Sequence, residues 1–575
     1  MTAPPRSEPP SEAPAPAASP SAFSVFTERR TLVMVALGFA AGLPYLLIFD
    51  TLSAWLRQVG LSLQVIGFFS LATLVSSFKF LWAPLIDRTQ VPWLSPALGH
   101  RRSWMLLAQV VMIAGLASIA SIEPTTHLGL MAATAVLVGF WSATQDIVID
   151  AWRIEVADQS RQGAMAAAYQ WGYRGAMIVA GAVPLLLAES VGWPLAYGTM
   201  AVLMGTSVLA TLAAPREAAH AIRALALDNV PRRAGADTVE WVARLAIIGA
   251  GAVLLGSGLT ANASMLASLA QGAGLDAAAQ GVTALWKSPT GIWWQLLAVL
   301  AGFAVIAVAI SPVPGRRTRP GTYLAAALSD PLRHFFARYG RRATLILALV
   351  CVYRLSDFVL NIMNPFYLDL GFSLAEVAEV RKVFGVVATM AGVFAGGYAV
   401  ARLGLMRALL IGAFGGPLSN LVFLWLATRG HDVPALFVAI SIDNALGGVA
   451  GTCLIAYMSS LTTEGFTATQ YALFSSLYAL PGRLIASQSG RFVESAARAA
   501  DTGGALGSLR SLFAALPPES FAGAVQRSGV SPAALGAGYA AFFIYSCVIG
   551  VFAVGLTLAV MRTRQEQSAG SGTRE

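Results

Sequence analysis

The residues of this chain that could do chemistry are charges and amides set in apolar surroundings. Asp146 and Asp150 are four apart, and Arg354, Asp357 and Asn361 follow at i, i+3 and i+7, so each set shares one helix face. Gln170, Trp171 and Arg174 occupy neighbouring positions of another face. Asp50, Lys79, Arg381, Lys382, Asp443 and Arg483 lie in similar apolar stretches. A charge in hydrocarbon costs at least about 2.5–3.5 kcal/mol on insertion scales, so such residues turn inward and are functional candidates. A stripe of Arg, Asp and Asn can bind carboxylates and sugar hydroxyls. Asp50, Lys79, Gln145 and Asn444 join that candidate binding set, and Tyr45, Trp171 and Tyr478 offer flat faces for sugar rings or simply pack. Asp146, Asp150, Asp357 and Asp443 are the candidates for carrying a proton. Two alternatives stay open: Arg354 with Asp357 as a self-neutralising ion pair, and Asp146 with Asp150 as helix locks.

The rest of the chemical inventory is spare. The three cysteines, Cys351, Cys453 and Cys547, sit singly in apolar stretches without CxxC spacing, and the five histidines fall in or beside loops. No metal, cofactor or disulfide framework is expected, and any energy source would be a proton gradient.

Only membrane spans can hold such charges in such sequence. Of the 575 residues 56% are hydrophobic and 12% charged, with a mean hydropathy of +0.67, where a soluble domain carries about a quarter charged residues. That composition excludes a soluble enzyme. Spans of about twenty residues, enough to cross some 30 Å of hydrocarbon, are expected at residues 31–56, 63–86, 104–121, 128–150, 164–188 and 194–213. An extra pair follows at 241–262 and 291–312, and six more at 343–367, 376–400, 407–427, 434–458, 468–490 and 538–561. The net charge of +9 comes from arginines that cluster in one set of loops, from Arg29 and Arg30 through Arg216, Arg232 and Arg317 to Arg402 and Arg562. By the rule that positive loops resist translocation, both termini are cytoplasmic and the charge speaks for a bilayer rather than nucleic acid. Residues 491–537 then form a long external loop, with Leu506, Leu509, Phe513 and Leu516 recurring at helical spacing opposite Arg510. They are expected to form an amphipathic helix on the outer membrane surface, and the alternative of a partly ordered insertion with no role in transport stays open.

The two sets of six spans resemble each other. Gly60, Ser62 and Leu63 match Gly371, Ser373 and Leu374, while Gln162, Ala164, Arg174 and Gly181 match Gln470, Ala472, Arg483 and Gly490. Parallel six-helix repeats with a solute site between them resemble the major facilitator construction. The loop APLIDR (83–88) with GHRR (99–102) is similar to its loop signature, which makes Asp87, Arg88, Arg101, Arg102 and the second-half Arg402 gating candidates. The expected fold is all-α, two six-helix bundles plus two extra central helices, about 14 spans in all. Its parts are a disordered cytoplasmic tail (1–28), an N-terminal bundle (29–215), a linker with the extra pair lying outside the transport path (216–342), a C-terminal bundle (343–562) and a second tail (563–575).

A narrower resemblance rests on SATQDIVIDAWR (142–153), FKFLWAPLIDR (78–88), GYRGAM (172–177), YRLSDF (353–358) and FTATQYALFSSLYALPGR (466–483). Together they resemble the AmpG-type muropeptide permeases. That resemblance implies an inner-membrane importer of GlcNAc-anhydroMurNAc peptides for peptidoglycan recycling, driven by the proton-motive force and able to influence β-lactamase induction; a monomer is expected, with the muropeptide and the bilayer as its partners. The related acetyl-CoA transporters supply the alternative solute. A membrane enzyme ranks lower, because the external acids Glu123, Glu189 and Asp369 sit in loops of a few residues and the long 491–537 loop holds no cluster of acid, base and nucleophile; a non-transporting sensor stays a lesser alternative.

Overall fold

The computed structural model describes residues 27–59, 79–217, 230–259, 262–288, 290–312, 315, 317–359, 362–486, 489–504, 506–516, 520–521 and 529–571. Among them the chain is helical and contains no strand. Ten of its helices are long and apolar enough to cross a membrane, against about fourteen spans expected.

The shortfall has physical causes. In the first expected span, α1 (Arg29–Leu46) gives way two residues after Pro44 to a π turn (Leu47–Thr51) and then to α2 (Leu52–Gln58). The second span ends in α3 (Ala83–Arg88), while residues 60–78 lie outside the described residues. The span at 343–367 is divided into α13 (Arg342–Val352), α14 (Leu355–Val359) and α15 (Met363–Asp369). The span at 468–490 is α20 (Thr467–Ala486), in which Thr, Gln, Ser and Tyr dilute the hydropathy and Pro481 interrupts the backbone hydrogen bonding.

The continuous spans of the first half are α4 (His100–Ser121), α5 (Leu128–Val156), α6 (Gln162–Val191) and α7 (Trp193–Ala213). α5 overruns its expected end at residue 150, and its 29 residues reach about 43 Å at 1.5 Å each. That carries Arg153 and Glu155 to the arginine-rich end of the bundle. The extra pair comprises α8 (Ala234–Leu259) and α11 (Gly291–Ile310), with short α9 (Ser264–Gly272) and α10 (Asp276–Lys287) between them. Leu255, Val299 and Ile306 of the pair pack against Phe80, Leu81 and Trp82, at the flank of the first half.

The arginine-rich stretch before residue 342 is a helix that the sequence reading did not anticipate. α12 (Arg319–Tyr339) buries Leu324, Ala327, Pro331 and Phe335, one face at the helical period, beneath the start of α20. Gln470 Nε2 donates to Pro331 O at 2.9 Å, and Arg338 Nη1 to Thr462 O at 3.0 Å.

The second half continues with α16 (Leu374–Glu379), a π turn (Val380–Gly385), α17 (Val386–Leu403), α18 (Leu405–Ala427) and α19 (Val433–Ser460). A Ser373–Glu376 capping box opens α16. Beyond α20, the expected surface helix over Leu506 to Leu516 is instead a 3₁₀ turn (Gly507–Phe513), preceded by α21 (Ser489–Asp501). Its apolar side chains cover the protein rather than lipid: Phe513 is buried, and Leu506, Leu509 and Leu516 pack on the same core. Phe513 seats on Gly536 of α22 (Pro532–Ser571), which removes the free apolar face that a membrane-surface helix requires.

Candidate functional site

The candidate site is the interface between the halves, and the packing of α1 on α6 sets one wall of it. A Cβ on Gly172 would strike Val35 O, so only glycine lets the two backbones touch. That contact fixes the register of the Tyr169, Gln170, Tyr173 and Arg174 face. Tyr169 and Tyr173 rings lie 5.9 Å apart, and Tyr173 shares an electrostatic neighbourhood with Tyr45, Asp146, Arg174 and Tyr478.

Across the interface, Arg354 is held by Asp357, with Nε and Nη2 at 2.7 and 2.6 Å from Oδ2. This pair sits where α13 breaks into α14, and both side chains are half-buried. Beside Gly451 of α19, Arg354 Nη1 and Gln170 Oε1 both approach, at 3.0 and 3.6 Å from where a Cβ would stand. Gln170 Nε2 donates to Thr452 Oγ1 at 2.8 Å, and Trp171 Nε1 to Met390 O at 2.9 Å, so α6 is tied to α19 and α17 of the other half. The open pairing keeps one edge of the guanidinium available for a carboxylate, the geometry for which Arg is suited.

Asp146 lies deeper in the first half, with Lys79, Asp150 and Tyr169 as its neighbours. Its Oδ1 is buried and accepts no hydrogen bond from the described residues. Asp150 is engaged differently: Arg153 Nη2 pairs with it at 3.3 Å, and the same guanidinium lies 5.3 Å over the Tyr471 ring of the second half.

The arginine-rich end is closed by a buried network. Asp87 and Arg101 are fully buried and 2.7 Å apart, and Arg101 also clasps Glu155 at 2.6 Å. Asp87 accepts in addition from the Ala468 and Thr469 backbone N–H groups at 3.3 and 2.8 Å and from the Thr469 hydroxyl at 2.7 Å. A carboxylate at the first turn of α20 is favourably placed against the helix dipole. Arg88 pairs with Asp330 of α12 at 3.4 Å, whereas Arg102 donates to Thr211 O and Leu212 O at the end of α7. Among the described residues Arg402 donates to Tyr398 of its own helix at 2.8 Å, and no second-half copy of the Asp87 clasp forms through it. Glu28, outside the spans, is desolvated but still held below the usual carboxylate range by hydrogen bonds from Arg161 and Arg30.

The structure thus gathers Tyr45, Trp171, Arg174, Arg354, Asp357, Tyr478, Lys79 and Asp146 around one interface. Gln145 is fully enclosed, with both amide atoms unpartnered among the described residues. Asn444 is occupied by Thr389 Oγ1 and Ile440 O at 2.9 and 2.8 Å, and Asp443 is half-buried on the preceding position of α19. Asn361 and the side chains of Asp50 and Arg483 lie outside the described residues. Tyr169, Tyr173, Tyr471 and Thr452 belong to the interface but were not among the sequence candidates. The i, i+4 spacing of Tyr169 with Tyr173 and the i, i+7 spacing of Tyr471 with Tyr478 was the signal available for three of them.

Residues 90–286 match the model of the Major Facilitator Superfamily. The chain is 31% identical over 473 residues to the Anhydromuropeptide permease of Escherichia coli, covering 82% of this chain and 75% of that one. It is 28% identical over 472 residues to Putative transporter AmpG 4 of Rickettsia felis, covering 82% and 91%. Among solved structures, the major facilitator proton:xylose symporter XylE bound to 6-bromo-6-deoxy-D-glucose aligns over 92% of this chain and 94% of its own, at a TM-score of 0.49 and 12% identity. The length and identity of the sequence match, together with the helical bundle just described, make this chain a membrane transporter rather than an enzyme, and it belongs to the AmpG-type muropeptide permease family within the major facilitator superfamily.

Proposed function

We propose that the transporter imports GlcNAc-anhydroMurNAc peptides across the bacterial inner membrane for peptidoglycan recycling, by alternating access coupled to protons. The observation that carries this reading is the half-buried Arg354–Asp357 pair facing Gln170 across the interface, with Arg174 and the tyrosines beside it. Guanidinium groups suit the carboxylates of a stem peptide, amides and hydroxyls suit sugar oxygens, and aromatic faces suit pyranose rings. Asp146, the carboxylate with an unpartnered oxygen beside Lys79 and Tyr169, is the proton carrier in this scheme. Asp150, paired with Arg153, is a brace. The arginine-rich end faces the cytoplasm, as do both termini, and the 491–537 segment is external.

The deciding experiment is uptake of labelled anhydromuropeptide by proteoliposomes of the purified protein, with and without an imposed proton gradient. Gradient-dependent uptake that excess unlabelled anhydromuropeptide abolishes is expected. Flux blocked by acetyl-CoA but not by anhydromuropeptide would transfer the site to the alternative solute. Sidedness is read independently: a cysteine placed at Arg317 should resist an impermeant thiol reagent in cells whose outer membrane alone is permeabilised.

A further inference from the structure

A polar cavity of about 360 Å³ lies between the beginnings of α8 and α12. Arg232, Asp237, Thr238, Trp241, Arg319 and Tyr323 line it. Several of these groups are already engaged: Asp237 Oδ2 accepts from Arg233 N at 3.0 Å, Thr238 donates to Ala234 O at 2.8 Å, and Arg319 Nε donates to Val230 O at 3.0 Å. The last bond orients Arg319 while leaving its terminal nitrogens for another acceptor. Arg232 has no partner among the described residues, and the Tyr323 hydroxyl is buried with none either. Trp241 and Tyr323 meet edge to face at 5.7 Å, and Arg88 lies within electrostatic reach of Tyr323.

Depth decides the occupant. The cavity opens where α8 starts as an apolar span, the level at which Trp and Tyr rings favour the headgroup region. Guanidinium donors with an unpaired hydroxyl, at the arginine-rich mouth of a groove between helices, match a phosphate diester. A soluble phosphate would gain the same donors but nothing from the flanking lipid-facing surface of α8, where Val239, Val242 and Leu245 are exposed.

We propose that this cavity binds the phosphoryl group of an anionic membrane lipid, whose chains lie along α8. Such a lipid would join the extra helix pair to α12, and through Arg88 and Asp330 to the Asp87 gate.

The test uses the full-length protein, stripped of lipid in detergent and then supplemented with phosphatidylglycerol, phosphatidylcholine or inorganic phosphate. Phosphatidylglycerol should raise the unfolding temperature where phosphatidylcholine does not, and the Arg232→Gln/Tyr323→Phe variant should lose at least half of that rise. Tyr323→Phe alone removes an unpartnered hydroxyl without disturbing packing, so it keeps the test valid if the double variant folds poorly. A photoreactive phosphatidylglycerol in membranes should label residues 232–241 or 319–323. An undiminished rise in both variants, labelling only elsewhere, or protection by inorganic phosphate with none from the lipid would each overturn the proposal.

Discussion

At the scale of single residues, Arg174 stands beside the Arg354–Asp357 pair. If Arg174, Arg354 and Arg483 attract the carboxylates of the solute, Arg→Lys and Arg→Gln at each should raise the half-saturation concentration for peptide-bearing solutes while leaving protein yield and unfolding temperature near wild type. A brace would lower yield for every solute alike, so uptake kinetics beside thermal unfolding separates the two. Asp87 touches Arg101 and three donors at the start of α20, so it ties the arginine-rich ends of the two halves together. Asp87→Asn keeps the shape but forfeits charge-assisted bonds, each worth about 1.5–3 kcal/mol, and thermal unfolding should register the loss together with freer access to the arginine-rich end. The arginines stand out in the sequence because an ionised group in an apolar stretch is conspicuous, and Asp87 with Arg101 stands out through the loop motif APLIDR with GHRR. Tyr169, Tyr173 and Tyr471 do not, because an aromatic side chain there reads equally well as packing. Only the approach of α6 to α1 and of Tyr471 to Arg153 settles which way these rings turn.

Elements divide into those that hydropathy reveals and those that it conceals. Uninterrupted spans such as α6 and α7 begin and end close to their expected limits, whereas α5 runs past its expected end. Breaks do not register, since residues 31–56 and 343–367 remain apolar across the π turn at Leu47–Thr51 and the α13–α14 junction. Partners are equally invisible: the 491–537 segment has an apolar side, but only the fold shows that α22 covers it. One tie in that segment yields a pH prediction. The Ser531 hydroxyl donates to Asp501 at 2.7 Å and, as the main cause, lowers the Asp501 carboxyl below its ordinary value. A carboxyl lowered by folding adds stability above its unfolded pKa of about 3.9 and loses it as pH falls through the lower, folded value. Hydrogen exchange in α21 should therefore be slow at neutral pH and accelerate in strong acid beyond its intrinsic rate. Ser531→Ala should already be faster at neutral pH and respond less to acid.

The molecule as a whole is two bundles sealed against each other at one end. Gly163 of α6 meets Val400 of α17 so closely that a Cβ would stand 2.6 Å from Val400 Cβ. Natural disulfides separate Cβ atoms by about 3.5–4.5 Å, a spacing that a slight parting of the backbones provides. A Gly163→Cys/Val400→Cys protein, in a background lacking its three cysteines, should lose uptake on oxidation and regain it with reductant if the halves must part here during the cycle. Uptake that persists with the bond formed would show that they need not. The internal repeat made this two-part plan readable from sequence, but the contacts that seal it join residues hundreds of positions apart, which no local pattern encodes. The same plan has an electrical consequence. Arg354 is neutralised by Asp357 and Lys79 stands beside Asp146, whereas no carboxylate faces Arg174 among the described residues. The Arg174 guanidinium, on the membrane-spanning helix α6, lies within the membrane field, where each elementary charge feels about 2.3 kcal/mol per 100 mV across the full span. If the solute is anionic, as proposed, its binding beside Arg174 changes the charge carried through that field, so membrane voltage acts on the unloaded and loaded carriers differently and ranks their reorientation rates even when no solute gradient exists.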